Sequence, residues 1–71
     1  MTEYTIIIEG AGSNYAAYVP DLPSCIGAAD TVEELRELMR EAIEFHIEGL
    51  RGEGAEVPAP STSAATITIA S

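Results

Sequence analysis

The stretch YAAYVPDLPSC, residues 15–25, decides the fold because a strand pattern runs into two prolines there. Residues 15–19 alternate two sets of side chains, as a strand with two distinct faces does. Pro20 and Pro23 lack the N–H that a ladder needs, so regular pairing must break beside them. We therefore predict a strand at 15–19, a turn between the prolines, and a short third strand at 24–28.

Upstream of this stretch, residues 4–9 form a second strand pattern that is rich in β-branched side chains. Its isoleucines at positions 6–8 occupy both faces, which indicates a strand in the middle of a sheet. The glycines, serine and asparagine of residues 10–14 form a turn cluster. The two strands are thus predicted to pair as an antiparallel hairpin, with residues 24–28 completing a meander.

Downstream, Thr31 and Glu34 have the T-x-x-E spacing of a capping box, which predicts a helix from residue 32 to about residue 50. Gly49 and Gly52 supply the stop signals. Phe45 and Ile47 lie at the borders of the apolar arc, which is wide for one sheet face to cover. The apolar face that the helical period gathers comprises Val32, Leu35, Leu38, Met39, Ala42, Ile43, His46 and Leu50.

The last part of the chain combines a long polar connection with one more strand pattern. Residues 52–65 contain two prolines, and connections of this length are often functional or mobile. Residues 66–70 alternate Thr66 and Thr68 with Ile67 and Ile69, which predicts a half-buried strand.

These elements predict one α+β domain over residues 1–71, with the order β-β-β-α-β and a single helix on one face of the sheet. A right-handed crossover gives the sheet order 3-2-1-4, with the last strand at an edge and parallel to the first. Edge strands invite pairing with another chain. We therefore expect a homo-oligomer interface at the last strand, formed by Thr66, Ile67, Thr68 and Ile69, or at the helix face beside it.

The composition restricts the partners that the chain can bind. Its 12 acidic residues outnumber 3 basic ones, which gives a net charge of −9. Such a domain is repelled by nucleic acids and anionic membranes, whereas a basic protein is attracted to it. The charge is equally well read as a means of staying soluble. A single cysteine, and an N-terminus without signal-peptide features, predict a cytoplasmic protein.

No residue pattern predicts catalysis, a metal or a cofactor. Cys25, His46 and Asp21 are the candidates for a nucleophile and its base, but a lone cysteine in a short strand is usually a core residue. His46 lies on the apolar helical face and has no ligand spacing with Cys25. We therefore predict a binding protein without enzymatic activity.

Several motifs together resemble the HicB-like antitoxins. YAAYVPDLPSC is similar to the family signature Y-x-A-x-V-P-D-L-P-G-C, with Ser24 at the usual glycine. The resemblance continues in Asp30-Thr31-Val32-Glu33-Glu34 (D-T-x-E-E), Glu41-Ala42-Ile43 (E-A-I) and the exit at residues 54–60 (G-x-x-I-P-x-P). It covers nearly the whole chain.

The resemblance implies a partial RNase H-like fold and homodimers or homotetramers. It also implies an antitoxin that neutralises a small basic HicA-type mRNA interferase by direct contact. The chain is expected to be a short form without the family's C-terminal DNA-binding domain. The alternative is an orphan homo-oligomeric module that binds another protein or a small ligand.

The partner-binding residues are predicted by exposure and residue type. Tyrosine is a favoured interface anchor, so we expect Tyr15 and Tyr18 to contact the partner, together with Asp21 in the turn. Glu37 and Glu44, on the outer helical face, would meet its positive charge. That the tyrosines merely cover the sheet is an equally good reading.

Overall fold

The computed structural model describes residues 2–70, apart from the side chain of Ala11. Three strands, β1 (Ile7–Ala11), β2 (Asn14–Val19) and β3 (Leu22–Ala29), are followed by one helix, α1 (Val32–Gly52). The strands form an antiparallel sheet in the order β1-β2-β3. The predicted α+β class, with a three-stranded meander and then a helix, is confirmed.

Two tight connections set the register of the meander. Gly12 and Ser13 join β1 to β2, and Gly12 has φ +71°. A positive φ at only the first central residue is the pattern of a type II′ hairpin turn, which glycine adopts without strain. Between β2 and β3, Tyr18 pairs with Ile26 and Val19 pairs with Leu22, so residues 23–25 bulge out of the ladder. Pro23, which has no N–H to donate, lies in this bulge.

The helix ends are closed by local hydrogen bonds. At the N-terminus the Thr31 hydroxyl accepts the Glu34 N–H at 3.1 Å and donates to the Glu34 carboxylate at 2.9 Å. At the C-terminus the N–H of Gly54 donates to the Arg51 carbonyl and that of Ala55 to the Leu50 carbonyl, a Schellman motif. Gly54 has φ +73°, as this motif requires. The helix therefore continues two residues past the predicted end.

The core lies between the sheet and the first half of α1. The buried side chains are Ala17, Val19, Leu22, Cys25, Leu35 and Met39. Helix and sheet approach closely at Gly27, where an added Cβ would lie 3.0 Å from the Met39 sulfur. The second half of the helix is poorly covered, and Phe45 is almost fully exposed. The sheet therefore covers only part of the apolar face of the helix, as the width of that face predicted.

The predicted fourth strand does not form within the described chain. Residues 66–70 pair with no strand, so the sheet order 3-2-1-4 is not observed among residues 2–70. Ile67 and Ile69 are 83% and 74% exposed. The alternating pattern predicts an extended segment with one apolar face. It does not identify the strand with which that segment pairs. In the single chain this segment is exposed instead.

Candidate partner-binding surfaces

A carboxylate in the β2–β3 turn fixes the segment that follows the helix. Asp21 accepts the backbone N–H groups of Ser61 and Thr62, each at 3.1 Å, and their hydroxyls at 3.0 and 2.9 Å. These bonds, led by that from the Thr62 N–H, lower the pKa of Asp21 although partial desolvation opposes them. The predicted contact residue Asp21 is therefore occupied by its own chain.

Two residues before β1 complete this arrangement, which we call the tail anchor (Tyr4, Thr5 and Asp21 with residues 58–62). The Tyr4 hydroxyl donates to the Pro58 carbonyl, and the Thr5 hydroxyl donates to the Thr62 carbonyl at 2.8 Å. Residues 4–6 lie outside the paired part of β1. The long connection is consequently held to the sheet at its far end, before the chain continues into residues 63–70, which we call the tail.

A groove runs between the helix and residues 2–8, the segment that leads into β1. Its floor is apolar and its rim is charged, and its volume is about 950 Å³. Ile8 pairs with the buried Ala17 and so faces the helix side, yet it is 36% exposed. This exposure marks a position that an additional strand beside β1 would cover. The floor comprises Tyr4, Ile6, Ile8, Met39, Ile43 and Ile47, and the rim includes Glu33, Arg36, Glu37, Arg40 and Glu44.

The sheet face that points away from the helix is a second apolar surface. Tyr18 and Ile26 are neighbours across β2 and β3 and are 42% and 70% exposed. Glu9, Ala16 and Ala28 adjoin them around a shallow depression of about 500 Å³. We call this surface the outer sheet face. This surface is a flat apolar patch, formed by Tyr18 and Ile26 beside small residues. The carboxylate of Glu9 lies at its border.

The structure distributes the five predicted contact residues over separate places. Tyr18 lies on the outer sheet face, whereas Tyr15 shares the helix-facing side of β2 with the buried Ala17. Glu37 and Glu44 lie on the groove rim. Strand alternation separates the two tyrosines, so they do not form a single patch.

The groove rim is itself partly paired. Glu37 accepts a hydrogen bond from the Arg40 guanidinium at 2.6 Å, and both side chains are exposed. This bond raises the pKa of Arg40, with a smaller contribution from the charge of Glu44. An ion pair between two exposed side chains contributes little to stability, so both side chains remain available for a partner.

The residues considered for chemistry lie on three different parts of the chain, the β2–β3 turn, β3 and α1. Cys25 is buried, and burial raises the pKa of its thiol, which disfavours the nucleophilic thiolate. His46 is half-buried on the helix. Across residues 2–70, no three His, Cys, Asp or Glu side chains come together in a way that suits a metal ion. In the same part of the chain, no helix has the length and apolar character needed to cross a membrane.

Comparison with known proteins gives two matches. The profile of a family described as "HicB_like antitoxin of bacterial toxin-antitoxin system" matches residues 4–69. A protein of Haemophilus phage HP1, described as an uncharacterized 14.9 kDa protein in the rep-hol intergenic region, is 44% identical over 55 residues. The alignment covers 78% of this chain but 41% of the phage protein, so the chain spans less than half of that relative. Because the family profile extends over nearly every element described above, this chain belongs to the HicB-like antitoxin family of bacterial toxin–antitoxin systems.

Proposed function

We propose that the protein is a cytoplasmic antitoxin that neutralises a small basic mRNA interferase of the HicA type by covering it. The match of the family profile over residues 4–69 carries this proposal. Membership in an antitoxin family implies a regulatory role rather than catalysis, and the buried Cys25 thiol agrees with that role.

Charge supports a basic protein partner and disfavours direct contact with nucleic acid. With a net charge of −9, the domain attracts a cationic surface over a distance of about a Debye length, roughly 8–10 Å at physiological salt. Attraction of this kind accelerates association and weakens as salt is added. The helical glutamates, including Glu37 and Glu44 on the groove rim, are exposed and contribute to this field.

The contact that fixes the toxin is assigned to the outer sheet face. Tyr18 and Ile26 give it a partly exposed aromatic ring and an exposed aliphatic side chain, of the kind found at the centre of protein interfaces. Tyr15 lies on the opposite side of β2 and is proposed as a secondary contact. Asp21 contributes indirectly, because its carboxylate holds the tail anchor.

A homodimer or homotetramer is part of the same proposal. A fourth strand, formed by Thr66, Ile67, Thr68 and Ile69, would complete the partial RNase H-like sheet with order 3-2-1-4. Support comes from the exposed isoleucines of that segment and from the open groove beside β1.

Co-expression with a cognate toxin tests the function. The toxin gene is sought as a short basic reading frame beside the gene for this chain, and growth should be restored when both are expressed. Tyr18→Ala and Tyr15→Ala are a matched pair, since both tyrosines are partly exposed but on opposite sides of β2. We expect Tyr18→Ala to weaken toxin binding by about 10–100-fold, and Tyr15→Ala to weaken it less. Loss of binding with Tyr15→Ala alone would contradict the outer-face assignment.

The alternative function is an orphan homo-oligomeric binding module without a toxin. It is favoured by the apolar surface that the chain leaves uncovered, which serves any protein partner equally well. Pull-down from the native host separates the two proposals. Recovery of a small basic chain supports the antitoxin, whereas recovery of a different partner, in a host without an adjacent basic reading frame, supports the orphan module.

A further inference from the structure

We propose that two copies of this chain exchange tails, so that the segment Thr66–Ile69 of each copy lies in the groove of the other as an added strand beside β1. This inference rests on the homodimer proposed above but not on the identity of a toxin. It specifies the donor segment, the acceptor groove and the reciprocal connection between them.

The donor and the acceptor are complementary in pattern. A strand beside β1 presents alternate side chains to the helix and to the opposite face. Ile67 and Ile69 would then face the apolar groove floor, while Thr66 and Thr68 would face outward. Residues 61–70 carry no charged side chain, so they approach the acidic groove rim without repulsion.

The geometry of the single chain favours exchange over insertion into its own groove. The tail anchor holds Thr62 beside Thr5 and Asp21, and the tail beyond it is exposed and pairs with no strand of its own sheet. The principal extents are 50 × 25 × 20 Å, and the radius of gyration is 13.9 Å, compared with about 11 Å for a compact chain of this length. The eight residues of the tail span up to about 26–29 Å when extended, enough to reach a neighbouring molecule while the anchor stays in place.

Each copy has one tail and one groove, so a two-fold axis satisfies both grooves at once. Such an isologous arrangement closes at two chains. It also covers Ile8 and both tail isoleucines, which lie exposed in the single chain. The tail anchor keeps the root of each tail at the same place on its own sheet, which lowers the entropy lost on exchange.

Sedimentation equilibrium of the 71-residue chain and two matched double variants is the first test. Wild-type protein should be dimeric at micromolar concentration. Ile67→Lys with Ile69→Lys should raise the dimer Kd at least 100-fold, whereas Thr66→Lys with Thr68→Lys, of identical charge, should change it less than 10-fold. All four positions are exposed in the single chain, so folding is preserved. A monomeric wild type, or a dimer insensitive to the isoleucine changes, would overturn the inference.

Disulfide trapping distinguishes exchange from insertion in cis. In a Cys25→Ala background, cysteines replace Ala70 on the tail and either Glu33 or Glu44, which lie towards opposite ends of the groove. Exchange yields a covalent two-chain product on a denaturing gel, at one of the two rim positions. An intramolecular disulfide in a one-chain product would show that each tail fills its own groove. A dimer that forms neither disulfide would refute exchange and leave the homodimer and the toxin assay unaffected.

Discussion

Gly27→Ala tests the packing distance between helix and sheet. The added Cβ would lie 3.0 Å from the Met39 sulfur and 3.2 Å from a Leu38 methyl carbon, closer than ordinary contact. Leu38 is partly exposed and can rotate away, whereas Met39 is 1% exposed and its sulfur must shift by a few tenths of an ångström. Overpacking of this kind costs about 1–3 kcal/mol. Replacing glycine in a strand gains about 0.5–1 kcal/mol, so the net loss of stability lies between zero and about 2.5 kcal/mol and is expected near 1 kcal/mol.

Thermal and urea unfolding followed by circular dichroism measure this loss, at one fixed protein concentration because association raises apparent stability. A loss near 1 kcal/mol should lower the melting temperature by about 4–8 °C for a domain of this size. Gly49→Ala is the matched control, since nothing lies within 4 Å of its added Cβ, and it should gain about 0.5–1 kcal/mol. In the double variant Gly27→Ala with Met39→Ala, the measured loss of stability should be smaller than the sum of the losses in the two single variants, by at least about 0.5 kcal/mol. If Gly27→Ala were as stable as wild type, the close approach would not be the constraint we describe.

Three further predictions concern single side chains. Thr31→Ala removes the N-cap and should lower the free energy of unfolding by about 1 kcal/mol in urea titrations; a neutral result would mean that the cap adds nothing. Because the pKa of Asp21 is lowered in the fold, the stabilisation by the tail anchor is complete above about pH 4 and is lost as the pH falls through the lowered value. The NMR amide shifts of Ser61 and Thr62 should follow that titration in wild type and not in Asp21→Asn, and shifts that are independent of pH would contradict the anchor. Cys25, buried and with a raised pKa, should react with iodoacetamide at pH 7 at least about 10-fold more slowly than a free thiol, and full reactivity without denaturant would show that the core opens.

Sequence patterns predicted correctly those parts of the fold that depend on residues close together in the chain. Thr31 and Glu34 located the helix start, and the capping hydrogen bond is present. The end was predicted too early because Gly49 lies within the helix, whereas Gly54, with φ +73°, supplies the Schellman turn. Alternation along residues 15–19 separated Tyr15 from Tyr18, as the register confirms.

The features that escaped prediction depend on residues distant in the chain. Asp21 and Ser61 are 40 positions apart, so no short pattern joins the carboxylate to its donors. The tail alternates as a strand does, but its partner strand is a matter of tertiary or quaternary contact. The groove likewise results from the position of the helix relative to β1, which periodicity along either element does not specify.

The bulge at residues 23–25 has a consequence for aggregation. A flat three-stranded sheet exposes two borders, and copies able to add at both would stack into an open-ended fibre. Here β3 forms one border, and its irregular register and Pro23 deny an incoming chain a straight row of hydrogen-bonding groups. We therefore expect strand addition to be disfavoured at residues 22–25 of that border, so that the exchange proposed at β1 would end in a finite particle.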